Sequence, residues 1–296
     1  GMFENLYVQG HYNLWDGLKA NMPGLFIDSC ASGGNRNDLE TLRRSNPLHR
    51  IDYYGYFNED AAIKQAQSQS TFAWWPYNGV MTNPIGKYPN KYVLRSSLTP
   101  WIAYAYNPTQ ALDYDVLRDW QSEWDITSTY TYDDYYALTN WSVDENSWLA
   151  YEYYSEEKGS GYALAFRRAD SSETQNIKFK GLKPEKFYHV TMEDSNSYRI
   201  YSGYDLLYKG LDITLPAAET SDIIYITKAS QKIVLRDLKA TVTNSEKAET
   251  KGLMESSVKI SDTKYKFSIR FNMSIRNTVL ANGEGLIEKN VQKDYL

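Results

Sequence analysis

The period of the apolar pattern changes once along this chain, and that change sets its architecture. Up to about Asn140, short apolar runs alternate with helix-compatible stretches. Beyond it, short alternating runs follow one another with only Gly, Pro, Asn or Ser clusters between them. In the first part, Tyr12, Trp15 and Leu18 recur at helical spacing until Pro23 and Gly24 break the pattern. LFID then reads as a short strand, SCASGGNRND as a loop and LETLRRS as a helix. The same grammar repeats: HRIDYYGY is a strand opening into a loop, AAIKQAQSQ a helix and TFAWWPYNG a strand ending in a Pro and Gly turn. YVLRSSLTPWIAYAY continues the series. Alternating β and α units predict a parallel sheet with helices outside it.

In the second part, WLAYEYY, GYALAFRR, QNIKFKG, FYHVTME, LDITLP and DIIYIT predict the strands of an antiparallel β-sandwich. After about Ala229 the chain becomes rich in Lys, Ser and Thr, yet VKISDTKYKFSIRFNMSIR keeps a period of two that predicts two more strands. The predicted layout is an α/β part over 1–140, a β-sandwich over 141–228 and a β-rich tail over 229–296.

Composition excludes several classes of function. The chain has 296 residues, 42% of them hydrophobic, enough for one or two cores. A net charge of −5, with Lys and Arg scattered among acids, gives no basic face for a nucleic-acid backbone. No stretch approaches the roughly 20 apolar residues that a membrane span needs. Cys30 stands alone, so no intrachain disulfide forms, and His11, His49 and His189 lack metal-ligand spacing. No metal or cofactor is expected. Tyr (27) and Trp (8) far outnumber Phe (9); rings with a polar edge suit sugars, although packing in β-structure accounts for most of them.

The segment FIDSCASGGNRNDLETLRRSNPLHRIDYYG resembles the family 36 glycoside hydrolases, the melibiases or α-galactosidases. In that family a strand ends in an acid, a cysteine and a Gly-rich loop, an Arg and an acid follow, and the next strand delivers an Asp that serves as acid/base. The matching positions are Asp28, Cys30, Gly33, Gly34, Arg36, Asp38 and then Asp52. Asp28 stands where many members have Glu, and Ile51 where many have Ser or Thr. The resemblance continues through Trp74 and Pro76, through Arg95 and Ser96, and through DDYYALTNWSVDENSWLAYEY to GYALAFRR, spanning Tyr7 to Thr227.

This resemblance implies an α/β plus all-β chain: about the last four strands of a (β/α)8 TIM barrel, followed by the sandwich. It implies an α-galactoside or related oligosaccharide as substrate, Asp52 as acid/base, and Cys30 and Gly33 near the sugar's 2-position. Asp28, Arg36, Asp38 and Trp74 are further candidates for substrate contact. Arg36 either binds a hydroxyl or pins Asp38. Of Trp74 and Trp75, one is expected to form a stacking wall and the other to enter the core. Arg95 is expected to order the end of its strand, and the tyrosines from Tyr130 to Tyr136 to pack a domain interface or present a carbohydrate surface.

The family's nucleophile sits in a Lys-x-Asp motif on an earlier strand, and this chain contains no such motif. Two readings follow. One is an enzyme portion that contributes the acid/base without the nucleophile; the other is a non-catalytic carbohydrate-binding or structural remnant. Exposed half-barrel edges would favour association into a homo-oligomer. Related enzymes imply a bacterial cytoplasmic or periplasmic setting.

Overall fold

The computed structural model describes residues 1–29, 33–52, 60–82, 85–87, 89–105, 109, 111–195 and 197–229, and the backbone of three strands between 236 and 274. The chain forms two compact units, Gly1–Lys228 and Ala229–Leu296.

Five α-helices occur among the described residues of the first unit, and side-chain caps set where four of them begin. α1 (Met2–Asn21) follows the predicted helical spacing. α2 (Leu39–Arg44), α3 (Ala61–Phe72), α4 (Lys91–Arg95) and α5 (Tyr114–Thr127) start behind Asp38, Asp60, Asn90 and Asp113. Each of these carboxylate or amide oxygens accepts a backbone N–H that the first turn would otherwise leave unpaired.

The half barrel expected from sequence is not present among the described residues. The parallel sheet there has two strands, β1 (Gly79–Met81) and β2 (Trp101–Ala103), with Gly79 opposite Trp101. LFID and HRID form no ladder among the described residues. The first is tied by Asn46 N–H to Ile27 O at 3.0 Å, the second by Arg50 N–H to Gly79 O at 3.0 Å. Between them Pro47 has no N–H to offer, and the Leu48 N–H goes to the Asp28 carboxylate at 3.0 Å. Two other strand predictions are corrected. Thr71 and Phe72 complete α3, so the strand in TFAWWPYNG begins only after Pro76, at Gly79; and YVLR folds as α4 once Asn90 caps it. Gly79 is required by close approach, since a Cβ there would meet Leu48 O and Trp101 O, each at 2.3 Å.

The predicted antiparallel β-structure forms, in a lopsided arrangement. β3 (Asp134–Ala137), β4 (Leu149–Ser155), β5 (Ser160–Arg167), β7 (Phe187–Met192), β8 (Ser197–Ser202) and β10 (Thr220–Lys228) make one six-stranded sheet in the order β3-β4-β5-β10-β7-β8. β6 (Thr174–Ile177) and β9 (Leu211–Thr214) pair separately. Every residue of β4 is buried because both sheet faces are covered. Leu149, Tyr151 and Tyr153 join Ala66, Phe72, Tyr92 and Trp120 of the helices in one core. Ala150 and Tyr154 on the opposite face join Ile177, Phe179, Leu211 and Ile213 in another. The central sheet is therefore a shared wall between the helices and the β6–β9 pair.

Two buried arginines fasten the helices to that wall. Arg95, fully buried on α4, donates to Glu123 of α5 (2.9 and 2.5 Å), to Asp194 (2.5 Å) and to Ser221 O of β10 (2.8 Å). Arg168, equally buried just after β5, donates to Gln65 Oε1 (3.1 Å) and Ala62 O (3.0 Å) of α3 and to Ser142 O (2.8 Å). Arg95 thus sits on a helix rather than at a strand end, and its work is cross-linking. The remaining unit is an antiparallel sheet of β11 (Arg236–Val242), β12 (Glu249–Ile260) and β13 (Thr263–Ser274), one strand more than the period-two pattern predicts.

Glu152 of β4 and Asp222 of β10 are acids buried inside the wall, and among the described residues no cationic side chain is bonded to Glu152. Its Oε2 accepts the Lys180 N–H at 2.8 Å, while Oε1 has no partner. Burial pushes its pKa up to about 8, against the smaller opposing pull of that N–H and of the Lys180 charge.

Two predictions follow from this construction. Replacing Arg95 with Leu strips buried Glu123 of its bidentate partner, leaving Lys91 Nζ at 3.6 Å as its remaining cation, and should cost about 3–5 kcal/mol, read as a lowered denaturant midpoint. Glu152 is protonated more readily in the folded chain than in the unfolded one. Stability should therefore fall as pH rises from the unfolded value of 4.5 to the folded value of about 8, by up to roughly 4 kcal/mol. Glu152→Gln keeps the acceptor for Lys180 and should flatten that part of the stability–pH curve; an unchanged slope would place its origin elsewhere.

Candidate functional site

The geometry begins at Gly79. A Cβ on it would stand 2.3 Å from Leu48 O, and Arg50 N–H donates to its carbonyl at 3.0 Å, so the segment leading to Asp52 passes close beside the start of β1.

The glycine loop meets Asp52 there. Gly33 has φ +67° and Gly34 φ +99°, both in the left-handed region that glycine adopts without penalty. A Cβ on Gly33 would stand 2.9 Å from Asp52 Oδ2, and one on Gly34 would touch Ile51 and the Arg50 carbonyl. Asn37, which the sequence reading passed over, anchors the loop by donating to Arg50 O at 2.9 Å. The other Asp52 oxygen is 3.3 Å from His49 Nε2. The sequence reading weighed His49 only as a metal ligand, although its place three residues before Asp52 in the same segment was a usable signal. The Asp52 side chain is 71% exposed, so this carboxylate is held at its base and open toward solvent.

Other candidates take different places. Arg50 turns inward, donating to Asn78 Oδ1 (2.6 Å) and Ser68 Oγ (2.8 Å). Burial lowers its pKa to about 10, with Tyr151 and Tyr153 pulling weakly the other way. Asp28 is exposed and its carboxylate ties down Leu48. Asp38 serves as the α2 cap and accepts from Thr41 N–H, Thr41 Oγ1 and Tyr12 Oη. Desolvation is the largest single influence and raises its pKa, but these hydrogen bonds together with the Glu40 N–H outweigh it and hold the carboxyl below the usual carboxylate value. Arg36 is exposed, and Cys30 lies outside the described residues.

The tryptophans divide as expected, for a different reason. Trp74 is 58% exposed and Trp75 buried, but they follow α3 on a turn rather than alternating along a strand. Tyr130 and Tyr135 pack inward: Tyr130 Oη lies 2.8 Å from Ser160 Oγ and Tyr135 Oη donates to Gln69 O at 2.7 Å. Tyr132 is exposed and stacks on Tyr77, 5.6 Å between centroids. Among the described residues no group of three or more His, Cys, Asp or Glu could hold a metal ion.

Residues 148–226 match the family model described as the glycosyl hydrolase family 36 C-terminal domain. No curated protein matches the sequence. Solved GH36 α-galactosidases share its fold. The α-galactosidase from Lactobacillus brevis aligns over 76% of this chain at 18% identity, with a TM-score of 0.59, and AgaB from Geobacillus stearothermophilus over 74% at 18% identity, with a TM-score of 0.59. An AgaA variant from the same bacterium, solved in complex with raffinose, aligns over 74% at 16% identity, with a TM-score of 0.59. The chain spans about a third of the length of these structures, 31% of AgaB and of the AgaA variant and 32% of the L. brevis protein.

The contact between the glycine loop and Asp52 makes a prediction of its own. Gly33→Ala combines a strained φ with a Cβ too close to Asp52 Oδ2, so it should cost about 1–2 kcal/mol and displace the Asp52 side chain. Thermal melts and a crystal structure of the variant check both parts; wild-type stability with Asp52 unmoved would show that the two segments do not press on one another.

Proposed function

We propose that this chain forms the acid/base side of an α-galactosidase-type retaining glycoside hydrolase, with Asp52 as the proton donor. The observation that carries this reading is the packing of the left-handed Gly33–Gly34 turn against the Asp52 carboxylate. A glycine turn lets backbone N–H groups approach a sugar closely, and it does so here beside an acid. The family 36 C-terminal domain and the fold shared with GH36 α-galactosidases supply the substrate class. One of those relatives holds raffinose, and an α-linked galactoside is the substrate proposed for this chain.

In the proposed role Asp52 gives its proton to the glycosidic oxygen as the bond to the anomeric carbon breaks, and then takes a proton from the water that completes hydrolysis. Retention needs a second carboxylate, roughly 5–5.5 Å from the first, to attack the anomeric carbon from the opposite face. With no Lys-x-Asp motif in the sequence, that group is assigned to residues outside this chain. His49 and the base of the glycine loop orient Asp52, and exposed Trp74 is the candidate for stacking against a further sugar ring.

Two measurements test this together. The purified chain should hydrolyse p-nitrophenyl α-galactoside no faster than its Asp52→Asn variant, because the covalent step has no nucleophile. Galactose at tens of millimolar should nevertheless shift the amide resonances of Gly33, Gly34 and Asp52 in a saturable way. Turnover lost in Asp52→Asn would keep Asp52 as the donor and overturn the assignment of the nucleophile elsewhere. Absence of any shift would overturn the sugar site.

A further inference from the structure

α1 is a helix of 20 residues in which none is buried. It touches the rest of the chain along one side, where Arg44 of α2 bonds Asp16 (2.9 Å), lies over the Tyr12 ring (4.5 Å) and accepts from Lys19 through its carbonyl (3.1 Å). At 100° per residue, Phe3, Tyr7, Leu14 and Leu18 fall together on the other side. They are 82%, 77%, 58% and 40% exposed. Leu6 flanks them at 60%, and Gly10 and Gly17 lie between them on the same face. A stripe of this size, open to water on one helix, is the mark of an interface.

The spacing of the stripe says what fits it. Phe3, Tyr7, Leu14 and Leu18 follow one another at intervals of four, seven and four, so the pattern reads the same in both directions about a point beside Gly10. We propose that this face pairs with the same face of a second copy, the two α1 helices running antiparallel about a twofold axis near Gly10. Phe3 then meets Leu18 of the copy, and Tyr7 meets Leu14 of the copy. Gly10, lacking a side chain, lets the two backbones approach at the axis. Antiparallel pairing also opposes the helix dipoles and sets the end bearing Glu4 beside the end bearing Lys19. Such a pair buries on the order of 1,000 Å² in total, near the lower bound for a specific interface, so the dimer is weak and reversible.

Analytical ultracentrifugation and directed cross-linking test this. At about 100 µM, well above what so small an interface needs, the chain should sediment with a dimer component, and Leu14→Lys should weaken association at least tenfold. Because α1 contributes nothing to the core, the thermal midpoint of Leu14→Lys should match that of wild type. In a Cys30→Ser background, Tyr7→Cys combined with Leu14→Cys should give a covalent dimer under mild oxidation. Within one helix these positions stand about 10 Å apart, too far for an internal disulfide. Tyr7→Cys alone should not cross-link, since its counterpart across the axis is position 14. A chain that stays monomeric at this concentration overturns the proposal and assigns the stripe to a different polypeptide. A dimer that persists in Leu14→Lys, or cross-links equally well through Tyr7→Cys alone, overturns the twofold helix pairing.

Discussion

The first unit depends on the set of ion pairs and hydrogen bonds around Arg95. A guanidinium with no exposed surface is tolerable only when its donors are all taken, and here Glu123, Asp194 and the Ser221 carbonyl take them. Those partners come from α5, from the turn after β7 and from β10, so one side chain fixes three elements that are distant in sequence. Arg168 does the same between β5 and α3 with uncharged partners, chiefly carbonyl oxygens and Gln65. A buried ion pair adds little net stability compared with apolar packing, but breaking one is costly. What these arginines supply is a defined seating of the helices on the sheet.

That seating explains which parts of the fold were legible in the sequence. Helices with Asp or Asn caps and a 3.6-residue period, such as AAIKQAQSQ behind Asp60, could be read directly. So could the second half as antiparallel β, because turn residues punctuate it. The clean alternation expected of a half-exposed sheet is absent from β4, where LAYEYYS is buried on both faces. Nothing local announces that; it follows from helices covering one face and the β6–β9 pair covering the other. The parallel strands failed for a related reason. A run of three or four apolar residues does not reveal whether its neighbour completes a ladder, and among the described residues LFID and HRID form none, although Arg50 N–H reaches Gly79 O.

The candidate site was legible as a motif and less so as a geometry. Gly33, Gly34 and Asp52 were recognised from their residue types, and they do come together. Asp38, named by the same motif, also caps α2, and Arg50, two residues before Asp52, bonds Asn78 and Ser68 inside the molecule. His49 was weighed only as a metal ligand although it precedes Asp52 by three residues, and Asn37 went unnoticed because an asparagine in a loop carries no pattern until its partner is placed.

Rigidity and openness are distributed unevenly across the unit, and the division bears on function. The doubly covered sheet, its arginine links and the two apolar cores lie at Arg95, Arg168 and the strands that follow Asp134. Asp52, Trp74 and the apolar stripe of α1 all belong to the first 75 residues, where exposed groups accumulate. An acid that must deliver a proton works best when sheltered from water, and a helix with a bare apolar face is more stable when that face is covered. Both requirements point to the same region. In the proposed reading the anchored sheet supports the site from one side, with substrate over Asp52 and a second copy of the chain over α1.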